Sequence, residues 1–171
     1  MIFRTFGKLV LLALSVSLTP VATLADSLQA PTGKVILTVS GKIANTNAGD
    51  RAEFDREMLE ALGDSELALE TPWTDGRQVF NGVLGSKLLD AVGASGDMIV
   101  ARAINDYQVS IPISDLRNYP VLFALKQNGS YMRVRGKGPI WIIYPRETYP
   151  ELDTDQITDR WVWQLSKIVI K

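Results

Sequence analysis

The chain has 171 residues, 46% hydrophobic and 22% charged, with 18 basic and 19 acidic side chains for a net charge of −1. That profile fits one globular domain, and without a basic surplus it excludes binding to nucleic acid or to an anionic membrane surface as the expected role. Cysteine and histidine are both absent, which removes thiolate nucleophiles, Ser-His and Cys-His pairs, disulfides and His-based zinc, copper or haem sites.

The N-terminus reads as a secretory signal peptide. Arg4 and Lys8 precede the apolar run Leu9 to Leu18, Pro20 breaks it, and Thr23-Leu24-Ala25 is a small-residue cleavage site. The run is shorter than the about 20 apolar residues that span a bilayer. Cleavage after Ala25 is expected to leave 26–171 as the mature, periplasmic domain, with no membrane segment after cleavage.

From residue 34 the elements follow in order. Lys34 to Ile43 is β-branched and alternating and predicts a strand, and Asn45 to Asp50 is a polar loop. Asp55 is placed to cap a helix over REMLEALG that Gly63 closes; a second helix runs from a Ser86 cap through Leu88, Leu89 and Val92 to a stop at Gly93. Between them, Pro72, Asp75-Gly76 and Asn81-Gly82 mark Thr71 to Val83 as a segment of turns. Met98 to Ile104 and Tyr107 to Ile113 read as strands joined at Asn105-Asp106. Pro120 to Leu125 is a further strand, and Asn128-Gly129 signals a hairpin into Tyr131 to Val134. A loop over Arg135 to Pro139 leads to the apolar strand Ile140 to Tyr144. Arg146 to Thr158 is a polar excursion, and Trp161 to Ile170 closes the chain as a strand with Trp161, Trp163 and Leu165 on one face. Many short strands with a few short helices predict an α+β class: a single mixed, largely β domain.

Four segments in this order resemble the molybdopterin-binding domain of the sulfite-oxidase type. They are ILTVSGKI (36–43), VFNGVLGSKLLDAVGA (79–94), INDYQVSIPISD (104–115), and KGPIWIIYP (137–145) with the terminal WVWQLSKIVI (161–170). In that family the matching stretches read Val-x-Gly, Trp-x-Gly-Val-x-Leu, Gly-Tyr-x-x-x-x-Pro, and Gly-x-Pro-x-Arg with a Lys-Trp-Leu end. The resemblance implies the sulfite-oxidase fold for 26–171 and, in the family's enzymes, a cysteine thiolate on molybdenum just before the second motif. Here that stretch is Thr71 to Asp75 and holds no thiol; Trp141 stands near the family's cofactor-binding Arg, and Arg160 near its Lys. Soft sulfur ligation is therefore missing. The same fold serves small periplasmic proteins that bind a free, metal-less pterin and signal to the periplasmic domain of an inner-membrane protein that makes and degrades cyclic-di-GMP. This short, cysteine-less chain resembles those members. The implied ligand is then a metal-free pterin and the implied role sensory. An oxidoreductase that holds molybdopterin through an atypical ligand such as Asp75 or a serine, and a partner-binding module with a vestigial pocket, are the alternatives.

Pterin is a flat polar bicycle that needs an aromatic face, a carboxylate for its amino-pyrimidine edge and a donor for its carbonyl. Trp73 and Asp75 offer a ring and a carboxylate in one turn; equally, Trp73 is core and Asp75 only starts a turn. Asp106 and Asn105 suit the pterin edge and carbonyl, or form a local Asx-type turn. Arg133, Arg135 and Lys137 line up near a glycine-rich loop as an anion or carbonyl anchor, with Arg135 the foremost, or as a solvated face. Tyr144 ends a strand and suits a pocket mouth. Trp141, Trp161 and Trp163 read as core, and Asp159 and Arg160 as a surface pair. No residue is assigned to catalysis or to a metal: the paired carboxylates Asp153/Asp155 and Glu147/Glu151 lie in the polar excursion, no serine has a histidine base, and Gly136-Lys137-Gly138 lacks P-loop spacing.

Overall fold

The computed structural model describes residues 28–171; the expected leader, 1–25, lies outside the described residues. Alternation builds the first sheet. In β1 (Leu37–Gly41) Leu37 and Val39 point inward. β1 pairs antiparallel with β2 (Arg51–Phe54) and parallel with the last strand, β10 (Leu165–Ile170), in the register Val39↔Ile168. β5 (Met98–Ala103) and β6 (Gln108–Pro112) complete the order β2-β1-β10-β5-β6.

The second sheet runs β3 (Ser65–Glu70), β4 (Arg77–Leu84), β7 (Leu122–Gln127), β8 (Ser130–Tyr131), with β9 (Trp141–Ile143) also on β7. β7 opens with four buried residues in succession, Leu122 to Leu125, the pattern of a strand covered on both faces. Helices fill the space between the sheets. Leu88, Leu89 and Val92 from α2 (Gly85–Ala91) and its cap, with Leu116 of α3 (Ile113–Asn118), meet Val39, Ile99 and Ile168 of the first sheet and Phe123 of the second. Both sheets and the helices share one core, so this is a single, mostly β, mixed α+β domain. No helix among the described residues is long and apolar enough to cross a membrane.

Local chemistry accounts for the element ends. The Asp55 carboxylate caps α1 (Arg56–Ala61) by accepting the Met58 N–H, and Gly63 follows at φ +147°. Gly93 ends α2 at φ +60°, with Gly93 N–H donating to Asp90 C=O and Ala94 N–H to Leu89 C=O, a Schellman closure. Ser86 is not the α2 cap: the helix begins at Gly85 after Leu84. Asn128 and Gly129, both at positive φ, turn β7 into β8.

Three further expectations are corrected. Thr71 to Val83 is not all turn, because β4 occupies 77–84 and Asn81-Gly82 is a bulge inside it, where the register against β7 shifts. A Cβ on Gly82 would lie 2.1 Å from the Phe123 carbonyl oxygen, so glycine here serves close backbone approach rather than a turn. Residues 113–118 form α3 after Pro112 rather than ending a strand. The final strand starts at Leu165, not Trp161, because Gln164 at φ +54° redirects the chain just before it. Within the polar excursion, a 3-10 turn (Pro150–Leu152) and α4 (Asp155–Thr158) are anchored by buried Leu152 and Ile157.

Candidate functional site: an indole-walled cavity

Three segments converge at one end of the domain: the β3–β4 loop, the β5–β6 turn and the stretch from α4 to β10. Together they enclose a cavity of about 260 Å³ lined by Trp73, Asn105, Tyr107, Asp159, Trp161 and Trp163, with Ala103, Thr158 and Val162. Trp73 is presented by a hydroxyl-braced turn, in which its N–H donates to the Thr71 hydroxyl (3.2 Å), itself bonded to the Thr74 hydroxyl (2.8 Å). Its ring lies 5.5 Å from Trp161 and 5.5 Å from Trp163, centroid to centroid, tilted and edge-on, the separations at which aromatic pairs attract. Buried Trp141 stands behind, 6.1 Å from Trp73. Its indole N–H is the one buried side-chain polar atom among the described residues with no hydrogen-bond partner.

The walls are tied down by polar bonds at their edges. The Tyr107 hydroxyl donates to the Asp159 backbone carbonyl at 2.7 Å, joining the β5–β6 turn to the 158–163 stretch; burial, and then the Asp159 charge, push this phenol's pKa up. One residue on, the Arg160 guanidinium donates to the Asp115 carboxylate of α3, which also accepts the Tyr144 hydroxyl at 2.9 Å. The ionic side chains are only 11% and 13% exposed, so this is a buried network. Burial first, and then the Asp115 carboxylate, raise the Tyr144 phenol far above its ordinary value, keeping it a neutral donor. Cations stand against the indoles. Lys137 Nζ is 5.3 Å from the Trp141 ring centre and 5.8 Å from that of Trp163, and the Arg146 guanidinium is 5.9 Å from that of Trp161. No lysine or arginine lines the cavity itself.

Of the residues singled out in the sequence, Trp73 and Asn105 meet in this cavity. Asn105 Oδ1 accepts the Tyr107 N–H at 3.2 Å, so the local Asx bond and a place on the cavity wall coexist. Asp106, at φ +68°, turns its carboxylate outward to Arg102 (3.3 Å). Asp75 is exposed beyond the Trp73 turn, where its backbone carbonyl receives Gln78. Arg135 is exposed in the loop before Gly136, outside the cavity. Tyr144 is fully buried against Asp115 rather than at a pocket mouth, and Arg160 pairs with Asp115 rather than with Asp159. Tyr107, Asp159, Trp161 and Trp163 complete the wall. Trp161 is buried and Trp163 packs against the core, as read, and from i and i+2 around Val162 both also face the cavity.

The layered sheets make a single mixed α+β domain, mostly sheet with short helices, and the fold is consistent with the sulfite-oxidase-type resemblance read from the sequence. Among solved structures, the chain is similar to the crystal structure of the sulfane dehydrogenase SoxCD from Paracoccus pantotrophus, at 18% sequence identity and a TM-score of 0.59 over 78% of this chain. It spans only 37% of that chain, and at this identity the likeness establishes the fold alone. No family model and no curated protein matches the chain.

A molybdenum centre does not fit the residues present. The chain has no thiol or imidazole, no three carboxylates cluster among the described residues, and the Thr71 hydroxyl is already committed to its own turn.

Proposed function

We propose that this chain is a non-catalytic, periplasmic pterin-binding protein that acts as a sensor toward an inner-membrane cyclic-di-GMP signalling protein. The observation that carries the reading is the cavity: three indoles, Trp73, Trp161 and Trp163, around a space of about 260 Å³, just below the roughly 300–1,000 Å³ of drug-sized sites. That volume suits a flat bicycle without the molybdopterin phosphate arm, and the lack of a lining cation agrees. The Asn105 amide suits the pterin carbonyl. The carboxylate role offered by Asp75 or Asp106 falls to Asp159, which lines the cavity as they do not.

Equilibrium dialysis of the purified protein against biopterin tests this. Saturable one-to-one uptake is expected, about tenfold weaker in Trp73→Ala and weakened again in Asp159→Asn. No uptake at millimolar pterin, or uptake indifferent to Trp73, rules the reading out. Intact mass of protein from periplasmic extracts is expected to match a chain beginning at Asp26; retention of 1–25 would count against the periplasmic assignment.

A further inference from the structure

On the other side of the β5–β6 turn runs a second recess of about 920 Å³, more than three times the volume of the indole cavity. Its walls are the lead into β1 (34–36) and the second half of the β7–β8 hairpin with the residues that follow it (129–134), closed by Ile104, Arg56, Pro139 and Ser166. The large hydrophobic side chains left most exposed among the described residues are Ile104, Tyr107, Tyr131, Val134 and Val169, and three of these five line this groove. Together they leave apolar side chains open to a ligand within one recess.

Lys34, Arg56 and Arg133 line the groove and no aspartate or glutamate does; Asp55, Glu57 and Glu60 stand on its α1 side, in a neighbouring recess that shares Lys34, Ile36, Arg56 and Tyr131. None of the three basic side chains forms an ion pair among the described residues, where seven other basic side chains do. In a chain of net charge −1, this local excess is a placement rather than a reflection of composition.

We propose that this groove docks an extended, acidic segment of a partner protein, with alternate apolar side chains on Ile36, Ile104 and Val134 and intervening carboxylates toward Lys34, Arg56 and Arg133. An extended strand sends successive side chains to opposite sides, which suits a recess whose lining mixes apolar and basic side chains. The Tyr131 ring is already met by Arg56 at 4.2 Å and Lys126 at 4.8 Å, so it is not open to stack a nucleic-acid base. The docking is independent of the pterin reading, since the two recesses share no lining residue.

Fluorescence anisotropy of the purified protein with a fluorescein-labelled peptide of about ten residues, alternating Glu with Val and Leu, tests the proposal. Saturable binding is expected, weakening several-fold between about 50 and 300 mM NaCl. Arg56→Glu and Arg133→Glu are each expected to weaken it about tenfold, while Lys87→Glu, at an exposed site away from the groove, leaves it unchanged. The same peptide with Lys for Glu is expected to bind only the charge-reversed variants. Arg133→Glu lies in a loop and Arg56→Glu places an acid in the first turn of α1, so both variants keep the fold, and unchanged circular dichroism checks this. The proposal is overturned by absence of saturable binding, by equal binding of the Lys peptide to the unsubstituted protein, by an equal loss in Lys87→Glu, or by capture on phosphatidylglycerol vesicles without peptide binding. Biopterin uptake in Arg56→Glu stays at the level of the unsubstituted protein, which separates failure here from failure of the pterin reading.

Discussion

The indole cavity and the basic groove flank the same turn: Ala103 and Asn105 line one, Ile104 between them lines the other. They use charge in opposite ways. Around the cavity the basic groups are committed, Arg160 to Asp115 and Arg146 to Asp153 at 3.2 Å, and Lys137 lies against indole rings. Around the groove Arg56 lies 4.2 Å from the Tyr131 ring, but Lys34 and Arg133 are in no ion pair among the described residues. A buried, satisfied charge holds a wall in place, whereas an exposed, unpaired one is free to meet a partner. Gln164 stands between the two sites. Its side-chain amide donates to the Val134 and Gly136 carbonyls at 2.7 and 3.0 Å, while its neighbour Trp163 lines the cavity.

The contrast is broken most severely at Asp115. Asp115→Ala leaves the buried Arg160 charge and the Tyr144 hydroxyl without their acceptor, so a loss of about 3–5 kcal/mol is expected in urea unfolding. Asp115→Leu combined with Arg160→Met is expected to recover most of it, and a single-variant loss below about 1 kcal/mol would show that the ion pair does not hold the cavity wall.

The groove side is sharpened at Asp55, a buried carboxylate accepting N–H groups of Thr32 (2.9 Å), Gly33 (2.8 Å) and Met58 (2.9 Å), which fastens the lead into β1 to α1. The bond from Met58, and then that from Gly33, hold its pKa below the ordinary 3.8. A depressed folded pKa means that this stabilisation is full above the unfolded value and is lost as pH falls through the folded one. Asp55→Asn is expected to cost about 1–2 kcal/mol at neutral pH and to flatten the acid limb of stability below pH 3.8; an unchanged acid limb speaks against the assignment.

A smaller effect is expected at the shared clamp. Gln164→Ala removes two bonds to the 134–136 loop for about 1 kcal/mol, and hydrogen exchange is expected to quicken in that loop while Asp115 and its partners stay protected. The smallest is at the turn itself. Arg102 and Asp106 are 45% and 81% exposed, so Arg102→Ala is expected to shift stability by no more than about 0.5 kcal/mol; a larger shift would mean that the turn, and not the walls, organises both recesses.

Legibility from sequence followed the range of the interactions. Asn128-Gly129, Asn105-Asp106 and the Gly93 stop are local devices, and each was readable. β4 was not, because Asn81-Gly82 has the letters of a turn while Gly82 serves a contact with Phe123, distant in sequence. β3 escaped notice as Ser-Glu-Leu-Ala-Leu-Glu, a short edge strand poor in β-branched residues. At the site, Trp73 and Asn105 stood out as a ring and an amide in loops. Trp161 and Trp163 were assigned to a strand face, since nothing in the side-chain pattern reveals that Gln164 turns the backbone to φ +54°. Asp159 is one carboxylate among many; only the Tyr107 hydroxyl bond to its backbone fixes its place beside the indoles.

All four tryptophans of the chain, Trp73, Trp141, Trp161 and Trp163, belong to the one aromatic cluster. The protein's intrinsic ultraviolet emission therefore comes from a single corner, and rings this close exchange excitation and glow as one source. That emission watches the cavity and is largely blind to α1 and β2. A molecule settling between the rings would alter nearly the whole signal, and a denaturation curve followed by emission would trace this corner, so the rest of the domain needs a second probe.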